Sequence, residues 1–151
     1  MEIKLQNADW LNFFELNISG NNEHFNKCDP ESKYLDGEVF SLFAPCFERS
    51  NSLFDYFGPT KYDSRSIVPL QNELKDQITE MEALQSLDEF KSFVKKTFMG
   101  SNFLIELEKI DPQWTTNWEK YRDSACDTVN EIILLIDRCL EEERVLWVIG
   151  Y

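Results

Sequence analysis

The sequence predicts an α+β fold: a mainly helical single domain, residues 1–151, with a long C-terminal helix and a small sheet formed by the terminal strands. Three observations carry this expectation. Apolar residues keep helical spacing from Trp114 through Trp118, Tyr121, Ala125, Val129, Ile132 and Ile136 to Cys139. Met1 to Gln6 alternates, with Ile3 and Leu5 on one side and Glu2 and Lys4 on the other. The run Val145-Leu146-Trp147-Val148-Ile149 is β-branched and aromatic, the composition of a buried strand. A chain of 151 residues fits one domain.

The elements follow in order. After the first strand, Trp10, Leu11, Phe13, Phe14 and Leu16 either continue a sheet or begin a helical turn. Residues 17–37 are rich in Asn, Gly, Asp and Ser and read as a long surface loop. Asp36 is placed to cap a helix carrying Val39, Phe40, Leu42, Phe43, Cys46 and Phe47, which Pro45 should kink or divide. Residues 54–63, FDYFGPTKYD, break helical periodicity, and Gly58-Pro59 marks a turn crowded by four aromatics. Ser66 is the expected cap of a helix with Leu70, Leu74, Ile78 and Met81 inward, Pro69 being tolerated in its first turn. Ser86-Leu87-Asp88-Glu89 fits a capping box. The next helix should turn Phe90, Phe93, Val94 and Phe98 inward and stop at Gly100. Phe103 to Ile110 suits a short helix or a strand. Asp111-Pro112 reads as the start of the long helix, which should run to about Glu142. The last strand could then pair with the first and tie the termini together.

Charge and composition exclude several classes. Forty-two per cent of residues are hydrophobic, so the chain is not a disordered polymer despite its net charge of −13. Acids outnumber bases nine to four in the first third, eight to six in the middle and eleven to five in the last. Nucleic acid and anionic membranes need a clustered basic face, so neither is an expected partner. Lys91, Lys95 and Lys96 form the one local cationic segment and read as a solvated helix face. The start, MEIKLQNADW, lacks the basic and apolar regions of a signal peptide. Cys28, Cys46, Cys126 and Cys139 show no C-x-x-C spacing, and the last three lie among apolar residues. We therefore expect reduced thiols and a cytoplasmic protein.

Catalytic patterns are weak. The single histidine, His24, has only Cys28 near it in sequence. Phosphate-cradling glycine loops and the G-x-S-x-G elbow are missing. Asp127 with Glu131, and Asp137 with Glu141, share helix faces at i, i+4 and read as solvated acidic surface. We expect no cofactor, metal centre or catalytic set. Aromatics beside acids are more informative, because Trp and Tyr dominate protein–protein hot spots and acids can pair with a partner's Arg or Lys. The aromatic turn offers Asp55, Tyr56, Tyr62 and Asp63, and its rings suit either an exposed face or a covered cluster. The start of the long helix offers Glu119 and Asp123, while Trp114, Trp118 and Tyr121 there read as core.

In size, charge and helix-rich pattern the chain resembles the small acidic immunity proteins of bacterial toxin systems, including contact-dependent growth inhibition. The resemblance implies a stoichiometric inhibitor that binds one cognate toxin domain, commonly a basic nuclease, with carboxylates in the place of substrate phosphates. A regulatory or adaptor module, a carboxylate-dependent enzyme and a DNA mimic are the alternatives. The nearly neutral middle third disfavours the last.

Overall fold

Apolar stripes at helical spacing fold most of the chain into helices, and a small antiparallel sheet closes one side. The computed structural model describes residues 1–7 and 13–151. The expected contribution of Trp10 and Leu11 to an apolar cluster lies outside them. Among the described residues the elements run β1 (Phe13–Asn17), β2 (Lys33–Asp36), α1 (Gly37–Ser50), β3 (Pro59–Tyr62), α2 (Ile67–Glu82), α3 (Leu87–Lys95), α4 (Gly100–Ile110), α5 (Trp118–Glu141) and β4 (Leu146–Gly150). The fold is α+β, with the long C-terminal helix the sequence predicts. No described helix is long and apolar enough to cross a membrane.

The sheet order is β2-β1-β4-β3, all neighbours antiparallel. The strand that pairs with β4 is β1, with Leu16 opposite Val148, and not Met1 to Gln6. The reason is burial: β1 hides Phe14 and Leu16 in the core, whereas Met1, Ile3 and Leu5 only half-cover it. The early alternation survives as a lid, charges outward, joined to the sheet where Gln6 exchanges both backbone bonds with Tyr34 (2.9 and 2.8 Å). The expected long loop is shorter than its composition suggests, because Lys33–Asp36 leaves it to form β2.

Alternation sorts β1 into two faces. Phe14 and Leu16 point toward the helices, and Phe14 stacks on Phe40 of α1 at 3.8 Å. Glu15 and Asn17 point to the other side, beneath residues 18–32. Phe25 and Trp147 close that cover at 4.9 Å.

Helices α1, α2 and α5 build the main core, α2 packing on both others. Pro45 does not divide α1. Leu70, Leu74 and Met81 are buried in α2 as their spacing requires, with Ile78 packed at the edge. Buried polar groups are matched: Gln77 donates Nε2 to the Leu42 carbonyl at 2.6 Å and accepts the Cys46 thiol at 3.2 Å. Gln71 donates to Asp137 at 2.6 Å, so one of the acidic helix residues braces α2 against α5.

Helix starts depart from expectation in instructive ways. Neither Asp36 nor Ser66 makes a side-chain capping bond. Asp36 instead accepts the Glu2 amide at 2.7 Å. Ser86 does cap, accepting the Glu89 amide at 3.1 Å, but Glu89 reaches back to the Gln85 amide rather than to Ser86. Gly100 begins α4 instead of ending α3, and residues 103–110 are helical. A β-carbon at Gly100 would lie 1.9 Å from the Val94 carbonyl oxygen, so only glycine lets α4 start against the end of α3. Asp111-Pro112 opens a turn rather than the long helix. Asp111 accepts the Gln113 amide and the Tyr121 hydroxyl (2.9 and 2.8 Å), while Thr115, Thr116 and Asn117 are poor helix residues. Helix α5 therefore starts at Trp118 and spans 24 residues.

Candidate partner-binding groove

The turn after α1 is held by its own polar side chains. Asn51 accepts the Leu53 amide at 3.0 Å and donates to the Lys61 carbonyl at 2.9 Å, tying the start of the loop to β3. Asp55 accepts the Phe57 amide, and its own amide donates to Thr60 Oγ1, both at 2.9 Å. A β-carbon at Gly150 would sit 1.8 Å from the Tyr56 carbonyl oxygen, so glycine there allows the loop to lie on the end of β4.

Rings then run outward from the core. Phe40 neighbours Phe54 at 6.0 Å, Phe54 meets Tyr56 edge-on at 5.0 Å, and Tyr56 touches Phe98 at 5.4 Å. The outer rings border a groove of about 350 Å³. Tyr56 and Phe57 reach it from the loop, Phe98 and Met99 from the turn between α3 and α4, and Asn102 from α4. Gly37 and Glu38 come from the first turn of α1, and Phe14 and Tyr151 from the sheet end. Phe57 is 84% exposed and Phe98 74%, unusual values for phenylalanine beside a concave surface. No Lys or Arg lines the groove. Glu38 is half-buried, and its carboxylate has no hydrogen-bond or ion-pair partner among the described residues. Burial, and then the neighbouring Glu48, hold the Tyr56 phenol protonated well above its ordinary range.

Comparison with known proteins is silent. No family model, curated protein or solved structure matches the chain.

The six residues singled out from sequence do not form one site. Tyr56 lines the groove, and exposed Asp55 holds the turn beneath Phe57. Tyr62 is fully buried and donates its hydroxyl to the Phe47 carbonyl at 2.6 Å, so it belongs to the core and offers a partner nothing. Asp63 is also covered. It accepts the Arg65 amide and guanidinium, both at 3.0 Å, which holds its carboxyl below the usual range, and its carbonyl accepts the Ser66 and Ile67 amides. Ser66 holds the N-cap position of α2 as expected, though without a side-chain capping bond. Glu119 and Asp123 are exposed on α5 and flank Arg122 at 3.9 and 3.0 Å. Arg122 in turn donates to the Leu84 carbonyl at 2.9 Å and lies over the Trp118 ring. Trp118 is core on α5, as its place in the stripe predicts, and Trp114 is core from the turn before that helix.

Sequence reasoning missed Glu38, Phe57, Phe98 and Tyr151. Phe98 was assigned inward because it continues the stripe of Phe90 and Val94, but α3 ends at Lys95 and the ring leaves the stripe. Phe57 lay inside the segment the turn signal marked. Nothing in the sequence marked Glu38 or Tyr151.

Elsewhere the chemistry is sparse. Exposed His24 stands 3.9 Å from Glu23, and among the described residues no group of three or more His, Cys, Asp or Glu side chains is placed to hold a metal ion. The four cysteines are free, Cys28 exposed and the other three buried.

Proposed function

We propose that this chain is an immunity protein that binds a cognate toxin domain, a basic nuclease by its charge complement, and neutralises it by stoichiometric protein–protein inhibition. The observation that carries the reading is the aromatic groove, where Phe57 and Phe98 stay exposed on a rigidly held rim. Exposed rings with a buried aromatic support have the anatomy of an interface hot spot. A net charge of −13 supplies the second element, fast capture of a basic partner by electrostatic steering. Other docking routes are less open. The β2 edge is paired with Gln6, and the β3 edge carries Pro59 and gives its Lys61 carbonyl to Asn51. On this reading the protein works in the cytoplasm, where its thiols stay reduced.

Affinity capture from the native host, with mass spectrometry of retained proteins, tests the proposal. One basic domain recovered at equal stoichiometry, whose toxicity is relieved by co-expression of this chain, is the expected result. A retained partner without toxicity replaces the inhibitor by a regulatory adaptor.

A further inference from the structure

We propose that the groove receives an arginine side chain presented by the partner, its guanidinium stacked among Tyr56, Phe57 and Phe98 and paired with Glu38; this deepens the protein-binding reading and rests on it. Aromatic ring faces are electron-rich and attract cations, and the planar, weakly hydrated guanidinium suits both stacking and paired bonds to a carboxylate. Glu38 supplies that carboxylate. It is half-buried beside rings and unpaired among the described residues, so an incoming cation would complete it. A wholly apolar occupant would instead strip water from a charge and return nothing.

Two further observations point the same way. Glu38 is the one charged side chain among the residues that line the groove. A volume of about 350 Å³ is small for a ligand pocket and suits one long side chain with its flanking backbone.

The test titrates the whole ¹⁵N-labelled chain with a short peptide carrying one central arginine, and with the same peptide carrying citrulline, which keeps the shape and removes the charge. The arginine peptide should shift the amides of Glu38, Phe57 and Phe98 saturably, with citrulline about ten-fold weaker and Glu38→Gln weakening the arginine peptide by a similar factor. Equal binding of citrulline assigns the groove to a neutral occupant and overturns the proposal, as does an absence of shifts at these residues. The two readings fail separately. A captured protein partner released by Phe98→Ala, but indifferent to Glu38→Gln, keeps the groove and removes the arginine. A Glu38-dependent arginine site in a chain that retains no protein partner keeps the arginine and removes the inhibitor.

Discussion

Two carboxylates, Glu15 and Glu38, have opposite surroundings. Glu15 is fully buried, and four donors saturate it: Asn17 Nδ2 (2.9 Å), the Cys28 amide (2.9 Å), the Ser32 hydroxyl (2.7 Å) and the Tyr151 hydroxyl (2.6 Å). Glu38, in the lining of the groove, has none among the described residues. The difference teaches which acids in an acidic chain build structure and which stay available. A buried charge is tolerable when each oxygen accepts bonds, and those bonds then fix whatever supplies them. Around Glu15 that is the segment 18–32, which Asn17 also holds by donating to the Asn26 carbonyl at 2.7 Å. Around Glu38 the backbone is already set by α1, and no described segment depends on its carboxylate.

Substituting the saturated carboxylate should break this contrast most severely. Glu15→Ala orphans buried donors, and we expect a loss of about 3–5 kcal/mol in urea unfolding, with faster hydrogen exchange at the Asn26 and Cys28 amides. A cost under about 1 kcal/mol would mean the segment is held by other contacts. Next comes the glycine beneath the groove. Gly150→Ala forces its methyl against the Tyr56 backbone, and a loss of about 1–3 kcal/mol is expected together with displaced Tyr56 and Phe57 resonances. A stable variant with an unmoved loop would remove Gly150 from the groove's support.

The third expectation sharpens the contrast from the groove side. Phe57→Ala and Glu38→Gln should each change stability by less than about 0.5 kcal/mol while reducing capture of the partner at least about ten-fold. Unchanged capture by both variants would discard the groove as the contact centre.

The last expectation is alkaline. Burial pushes the Cys46 thiol up to about 12 and those of Cys126 and Cys139 to about 11, against 9.0 for a free thiol. Because the folded values exceed the unfolded one, this contribution is complete below pH 9 and is lost as pH rises toward 11 and 12. Urea midpoints should therefore fall as pH rises above 9. At neutral pH a thiol reagent should find Cys28 at once and the other three only after unfolding. Rapid reaction at all four would contradict their burial.

Periodicity made the helices legible because it is a local property: Leu70, Leu74 and Met81, or Val129, Ile132 and Ile136, can share a face only in a helix. The buried fate of Trp118 was readable for the same reason, and the last strand from its β-branched and aromatic composition, whereas Trp114 is buried from a turn outside the helix. Element ends were less so. Whether Gly100 stops one helix or starts the next depends on how closely α4 meets the Val94 carbonyl, a contact no local pattern contains. The site was half legible. Gly58-Pro59 and its aromatics marked the right segment, but Tyr62 and Phe57, five residues apart, have opposite fates because one points under α1 and the other past the sheet end.

By itself the sequence determined the fold class, the helical stripes, the acidic character and the presence of an aromatic turn. All of these follow from composition or from repeat spacing along the chain. Only the tertiary structure decided which strand pairs with β4, that Glu15 is a buried anchor and that Phe57, Phe98, Tyr151 and Glu38 border one groove. Those residues are separated by most of the chain, and long-range packing brings them together by filling the core behind them.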